Sequence, residues 1–439
     1  MKTRRFLIIL ASLIILICLT CTACSSKESR IRREYNKTEA TEMKLAIWSA
    51  PNADKYPDEE SLEKICQGYK DMGINYIYNE QEWGEHTLNR LMDCYVKYDL
   101  KAIIGLPIKE EERTMRIVRA TMNHPACWGF NLKDEPADSE FSYLRKMAGM
   151  LRSEIPEGKM LTTNLLPNSS FTWDGFENVS LGAYKQHVRD YILNTRIEML
   201  SFDCYPLGRK TKIDDVEMVF YLKNLLEFNI QCREEGVEPT SIIQSAKWDD
   251  RRMPSSTELE FLVNMNLVSG MDGITYFLYW TNVDHRGRPV IKGLMNYDGT
   301  PTPSYYDAQR INQGLLKMKG VFIDYNQVGY IFTNMPSAYN FFDEEIVEES
   351  VVMESFGPVE YVGSNGFVLT GCFTKDNGKK AIYVMNFSME DGEQEEITIA
   401  FSRNTSYKLW NYTGLADMDR ADKLVLKLAP GEAAFVEVG

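Results

Sequence analysis

Two adjacent carboxylates, Asp134 and Glu135, are followed at once by Pro136, and a third, Asp203, stands two positions before Tyr205. Neighbouring carboxyls of this kind carry acid/base chemistry, in which one group keeps its proton while another is ionised. The same chain offers amides at Asn79, Asn131, Asn164 and Gln244, and aromatic rings at Trp48, Tyr205, Trp248 and Trp280. Amides and carboxylates bind hydroxyl groups, and aromatic faces stack on the apolar C–H faces of pyranose rings. That mixture suits a carbohydrate ligand. A glycosidic bond also needs a proton donor for its leaving oxygen, usually a carboxylic acid with a raised pKa.

These residues recur at one kind of place, the ends of short apolar runs. The runs are Lys44–Ser49, Ile74–Asn79, Lys101–Leu106, Gly129–Lys133, Met160–Leu165, Met199–Asp203, Thr240–Ser245 and Gly273–Trp280. Between them lie longer stretches such as Asp58–Met72, Thr87–Tyr98, Glu111–Met122, Glu140–Ser153, Asp214–Glu234 and Ser256–Val268. Their apolar residues fall three or four apart, as at Leu62, Ile65, Tyr69 and Met72, which is helical spacing. Strict alternation of strand and helix predicts a parallel sheet. Eight such units predict a (β/α)8 TIM barrel, whose functional side chains sit at the C-terminal ends of the strands. A doubly wound sheet is the alternative, but Ala50-Pro51-Asn52 stands where a glycine-rich phosphate loop would follow the first strand. Strand parity places Asn131, Lys133 and Glu135 on one face and Phe130 and Leu132 on the other. The sixth strand repeats the pattern, with Ser201, Asp203 and Tyr205 opposed to Leu200 and Phe202.

After Gly320 the grammar changes to β-rich runs at Phe367–Thr374, Lys380–Phe387, Glu396–Phe401, Tyr407–Tyr412 and Lys423–Leu428. Turn signals such as Asp376-Asn377-Gly378 and Pro430-Gly431 separate them, predicting a C-terminal antiparallel β-sandwich. The expected organisation is a barrel over residues 43–322 and a sandwich over 323–439.

The segment from Trp128 to Pro136 (WGFNLKDEP) resembles the fourth strand of clan A glycoside hydrolases, most closely family 42-like barrels that read Asp-Glu-Pro here. The run Ser201–Pro206, the segment Asn296–Tyr306 and the terminal Leu428–Glu432 support the resemblance. It implies hydrolysis of O-glycosidic bonds, with Glu135 as the acid/base, Asp203 or Asp134 assisting, and no cofactor. Trp48, Asn79, Asn131, Tyr205, Gln244, Trp248 and Trp280 are then expected to line the substrate site. One departure stands out. The seventh strand carries Gln244 where a retaining clan A enzyme has its nucleophilic Glu, and a neutral amide cannot form a glycosyl ester. The second carboxylate would then be Asp203, with Glu80 and Asp249 behind it. Alternatively Asp134 and Glu135 act as a substrate-assisted pair, which requires the backbone to turn by residue 134. A barrel that binds glycans without cleaving them is the remaining reading.

The rest of the sequence bounds the setting. The chain has 439 residues, 49 Lys and Arg against 63 Asp and Glu, and a formal net charge of −14, which argues against nucleic acid as a partner. With four histidines, a His-rich metal site is not expected. A basic start, Met1 to Arg5, precedes a charge-free apolar stretch and then Cys21-Thr22-Ala23-Cys24. This reads as a secretory signal over 1–23. The run resembles a bacterial lipobox, implying acylation of Cys24 and anchoring to the cell membrane through lipid. An uncleaved membrane anchor is the alternative. Residues 24–42 are polar and read as a tether. The six later cysteines show no paired metal-ligand spacing and are expected to be free and buried.

Overall fold

The computed structural model describes residues 43–48, 50, 58–80, 84–167, 181–208, 215–337 and 351–439. Cys24, the signal and the tether lie outside the described residues. Within them, no helix is long and apolar enough to cross a membrane.

The first eight strands are β1 (Lys44–Trp48), β2 (Tyr76–Asn79), β3 (Lys101–Gly105), β4 (Cys127–Asp134), β5 (Met160–Leu165), β6 (Met199–Cys204), β7 (Glu238–Gln244) and β8 (Gly273–Phe277). They pair in parallel in sequence order and close into a barrel when β8 meets β1. The helices between them are α1 (Glu59–Asp71), α2 (Glu85–Lys97), α3 (Glu111–Thr121), α4 (Phe141–Arg152), α5 (Leu181–Thr195), α6 (Asp215–Glu235) and α7 (Ser256–Val268), and α8 (Pro303–Phe322) follows β8. Local chemistry sets their ends. The Asp58 carboxylate accepts from the Ser61 amide at the start of α1, and Ser255 forms a capping box with Glu258 at the start of α7.

Each strand is buried on both faces. Leu45, Ile47, Ile77, Phe130, Leu132, Leu200 and Phe202 pack outward on the helices. Ala46, Trp48, Tyr76, Tyr78, Ile103, Met160, Met199 and Ile242 fill the lumen. A buried Lys44–Glu238 ion pair closes its N-terminal end. The two-faced burial explains why the strands read as continuous apolar runs.

A short hairpin, β9 (Asn282–Val283) with β10 (Pro289–Ile291), precedes α8. Beyond α8 lie β11 (Asn326–Thr333), β12 (Val359–Gly363), β13 (Val368–Thr374), β14 (Lys380–Asn386), β15 (Glu395–Asn411), β16 (Gly414–Leu428) and β17 (Ala433–Val438), all antiparallel. β15 pairs with β12 along its first part and with β17 along its second, with a register shift between. The sheet so bent encloses a second core that includes Val362, Cys372, Ile382, Ile399, Leu426 and Val436, the arrangement of a β-sandwich. It is fastened to α7: the Asn264 side-chain oxygen accepts from Tyr383 at 3.0 Å and Tyr412 at 3.1 Å, and its nitrogen donates to the Gly431 carbonyl at 2.8 Å. Cys66, Cys94, Cys127, Cys204, Cys232 and Cys372 are free thiols.

Candidate active site

The C-terminal end of β4 departs from a straight strand. Its pairing with β5 runs Asn131 to Thr162 and then Asp134 to Asn164, so three steps on β4 match two on β5. Such a bulge reverses the facing of the residues beyond it. Glu135 then takes φ +48°, a left-handed conformation uncommon for a residue with a side chain, and its amide donates to the Asn164 carbonyl at 2.9 Å. Alternation alone would set Asp134 and Glu135 on opposite faces. The bulge and the turn instead bring both into one network.

Asn164 is its hinge. Its side-chain nitrogen donates to Asp134 Oδ1 at 3.1 Å and to Asp203 Oδ1 at 2.9 Å, and its oxygen accepts from Ser201 Oγ at 3.1 Å. Glu135 and Tyr205 both stand near enough to Asp203 for its charge to act on them. Burial, followed by the negative charges of Asp203 and Asp134, pushes the Glu135 carboxyl up to about 8. Burial also pushes Asp203 up to about 6, against the opposing pull of the Asn164 hydrogen bond. Of the two carboxyls, Glu135 is held the higher. Among the described residues Glu135 makes no ion pair, so the half-buried Lys133 does not neutralise it by contact.

A second acidic position lies at the end of β2. Glu80 accepts from Asn131 Nδ2 at 3.0 Å, and burial pushes its carboxyl up to about 8, with the charge of Asp134 adding to the effect. The opposite wall is aromatic. Tyr205, Trp248 and Phe277 meet with ring centroids 5.1 to 5.5 Å apart, and Trp48 packs on Tyr78 at 4.9 Å. Among the described residues no group of three or more His, Cys, Asp and Glu is arranged to hold a metal ion.

Glu135, Asp203, Asp134, Asn131, Tyr205, Trp248 and Trp48 thus gather at one mouth, and three expected residues do not. Asn79 faces α2: its oxygen accepts from Tyr95 Oη at 3.1 Å and its nitrogen donates to the Ile77 carbonyl. Parity gives the inward place to its neighbour Glu80. Gln244 is saturated by backbone. Its oxygen accepts from the Leu207 amide at 2.9 Å, and its nitrogen donates to the carbonyls of Leu207 at 3.1 Å and Arg252 at 2.7 Å. It ties two loops together in a fully buried place, out of reach of a ligand. Trp280 is buried in the core, its indole donating to Tyr69 Oη at 3.1 Å. β8 ends at Phe277, three residues earlier than its apolar run suggests, and Phe277 takes the ring position at the mouth. The sequence signal for Phe277 is the small pair Gly273 and Thr275, which marks the inward face of β8. Asp249 lies on an exposed turn.

No protein-family model matches the chain, and no curated protein matches it in sequence. Solved structures do match. A catalytic mutant of a family 42 (GH42) β-galactosidase from G. stearothermophilus aligns over 92% of this chain and 99% of its own, at 10% identity and a TM-score of 0.58. The β-galactosidase of Bacillus circulans sp. alkalophilus aligns over 92% and 100%, at 8% identity and a TM-score of 0.57. A β-galactosidase from the Antarctic haloarchaeon Halorubrum lacusprofundi aligns over 63% of this chain, at 14% identity and a TM-score of 0.50, and the chain spans 59% of that protein. The likeness shows the fold: a (β/α)8 TIM barrel followed by a β-sandwich, similar to the barrels of these β-galactosidases.

Proposed function

We propose that this protein hydrolyses O-glycosidic bonds in an extracellular glycan or oligosaccharide, with Glu135 donating the proton to the leaving oxygen. The observation that carries this reading is the place of Glu135 at the turn after β4, its amide bonded to the Asn164 carbonyl while the Asn164 side chain holds Asp134 and Asp203 at the C-terminal mouth of the barrel. A carboxyl kept protonated near pH 7 is what a glycosidic leaving group requires. Asp203 acts here through its negative charge, which favours the protonated form of Glu135. Tyr205, Trp248, Phe277 and Trp48 supply ring faces for a sugar, and Asn131 an amide. The likeness to β-galactosidase barrels agrees with a carbohydrate ligand and leaves its identity open. The body would be held outside the cytoplasm through lipid on Cys24, a reading that rests on the sequence and is tested by palmitate labelling of wild type and Cys24→Ala.

A second reading is a glycan-binding surface lipoprotein without turnover. It is favoured by the β7 end, where Gln244 replaces the expected carboxylate and is consumed by backbone contacts. One experiment separates the two. Wild type and Glu135→Gln are assayed on a broad panel of aryl glycosides and oligosaccharides, with glycan binding measured in parallel. Turnover by wild type and its loss in Glu135→Gln, with binding spared, supports hydrolysis. Equal turnover in the variant would sink the assignment of Glu135, and an inert wild type that still binds a glycan selects the second reading. Activity confined to 2-acetamido sugars would assign Asp134, turned to the same face as Glu135, to a substrate-assisted route.

A further inference from the structure

The mouth carries a second polar group that the residues around Glu135 do not use. By register Asn79 on β2 stands beside Ile104 on β3, which sets Glu80 beside Gly105, and Gly105 in turn stands beside Asn131 on β4. The three form one inward row across neighbouring strands. Glycine in the middle of the row lets the outer two meet. A Cβ at Gly105 would stand 2.6 Å from Glu80 Oε2 and 2.9 Å from its Cδ, so the Glu80 side chain lies across the glycine. There Glu80 Oε1 accepts from Asn131 Nδ2 at 3.0 Å.

Each member of this pair has one atom to spare. Asn131 is 1% exposed, and its Oδ1 is buried with no hydrogen-bond partner. Glu80 is half-buried and has no cation beside it among the described residues, whereas the buried acids Glu238, Glu198 and Glu258 are ion-paired. Burial, with the charge of Asp134 adding to it, holds the Glu80 carboxyl in its protonated form up to about 8. Because Oε1 accepts the amide hydrogen, the acid hydrogen belongs on Oε2. The pair therefore presents a donor at Oε2 and an acceptor at Asn131 Oδ1, and the second bond of a closed acid–amide ring is not made. A desolvated donor and acceptor without partners are costly, and a group that both accepts and donates satisfies them together. A hydroxyl does this. An ether oxygen cannot donate, a carbon without oxygen does neither, and a carboxylate or sulfate brings negative charge towards Asp134. Asn131 lies four residues before Glu135. That is about 13 Å of extended strand at about 3.3 Å per residue, so this hydroxyl is remote from the bond that Glu135 would protonate.

We propose that Glu80 and Asn131 form a specificity site for one free hydroxyl of the bound sugar, Glu80 Oε2 donating to its oxygen and Asn131 Oδ1 accepting its hydrogen. This rests on the carbohydrate reading of the mouth and holds whether the glycan is cleaved or only bound. The site selects sugars in which that hydroxyl is present and unsubstituted. Glu80 acts in binding and takes no part in proton transfer at the reacting bond.

The test uses the full chain, the best glycan of the panel, and its monodeoxy and mono-O-methyl derivatives, read as kcat/KM or, without turnover, as Kd. Wild type should lose at least about a hundred-fold at one deoxy position, and O-methylation there should cost as much. Glu80→Met keeps the length of the side chain and removes its hydrogen bonds. It should lose about as much on the parent glycan and become indifferent, within about three-fold, to that deoxy change. Glu80→Gln offers an N–H in place of the acid hydrogen and an oxygen to Asn131, so it should stay within about ten-fold of wild type and keep the discrimination. Losses from Glu80→Met and from deoxygenation that simply multiply at every position overturn the proposal, as does Glu80→Gln impaired as deeply as Glu80→Met. So does a wild type that tolerates every deoxy derivative within about ten-fold, a result that needs no variant. A wild type that neither cleaves nor binds any glycan removes the carbohydrate reading and this inference with it.

Discussion

The amide of Glu135, at the turn after β4, donates to the Asn164 carbonyl on β5 at 2.9 Å, and the Asn164 side chain in turn holds Asp203 on β6 at 2.9 Å. Two acids this near each other do not both ionise cheaply, and Asp203, whose carboxylate accepts from Asn164, ionises first while Glu135 keeps its proton. Activity that depends on protonated Glu135 should fall as pH rises through about 8. Asp203→Asn removes the neighbouring negative charge, which lowers the Glu135 pKa and moves the alkaline limb of kcat/KM to lower pH. The limb should not return to that of an ordinary glutamate, because burial is the larger cause of the shift. A limb that stays at its wild-type position would show that the pairing does not set the proton.

The same group of acids makes stability depend on pH. Glu135 and Glu80 are each raised to about 8 and Asp203 to about 6, all above their unfolded values. Between about pH 4.5 and 8 the folded chain therefore binds more protons than the unfolded one, and stability falls as pH rises through that window. Melting temperature should be higher at about pH 5 than at about pH 8. Glu80→Gln, which removes one such acid while offering its amide oxygen to Asn131, should flatten the slope and raise the melting temperature at the alkaline end. A variant melting below wild type there would mean that ionised Glu80 is better compensated than its surroundings indicate.

Much of this site is legible in the sequence, for a physical reason. Where a strand alternates a polar and an apolar face, as Ser201 and Asp203 do against Leu200 and Phe202, parity alone assigns the inward residues. The second strand defeats that rule. Tyr76, Ile77 and Tyr78 are all apolar because both faces are buried, so nothing local says whether Asn79 or Glu80 turns inward. Trp280 misleads for the same reason, an unbroken apolar run hiding the end of β8. The bulge in β4 has no mark in composition; it emerges from the pairing with β5, and it ties Asp134 and Glu135 to the same residue, Asn164. Gln244 is legible as the missing nucleophile but not as a tie between loops, since its partners Leu207 and Arg252 are remote from it in pattern.

Gln244 also bears on any attempt to restore a retaining mechanism. Its nitrogen donates to two carbonyls, those of Leu207 and Arg252, at 3.1 and 2.7 Å. In Gln244→Glu a carboxylate oxygen would face both acceptors in a fully buried place. The expected cost is about 2–4 kcal/mol of stability, from two lost bonds and an unsatisfied buried acid. The variant should melt lower, recover part of the loss as pH falls and the new acid is protonated, and form no glycosyl ester. A covalent adduct with a 2-fluoro glycoside, seen by mass spectrometry, would contradict this.

The two tryptophans expected at the mouth should separate under one substitution. Trp248 is half-buried and meets Tyr205 edge-on, with ring centroids 5.1 Å apart, and Phe277 at 5.5 Å. Trp280 is 7% exposed, with its indole nitrogen committed to Tyr69. Trp248→Ala should remove a ring face from the sugar and raise KM about ten-fold, equivalent to about 1.4 kcal/mol, with a small change in melting temperature. Trp280→Ala should empty part of the core between the barrel and α1, costing about 3–5 kcal/mol. At a temperature where that variant remains folded, its KM should match wild type within about two-fold, because Trp280 is on no path to the ligand. Measuring KM and melting temperature on the same two preparations decides the matter: a KM effect confined to Trp280→Ala would reverse the assignment of the aromatic wall.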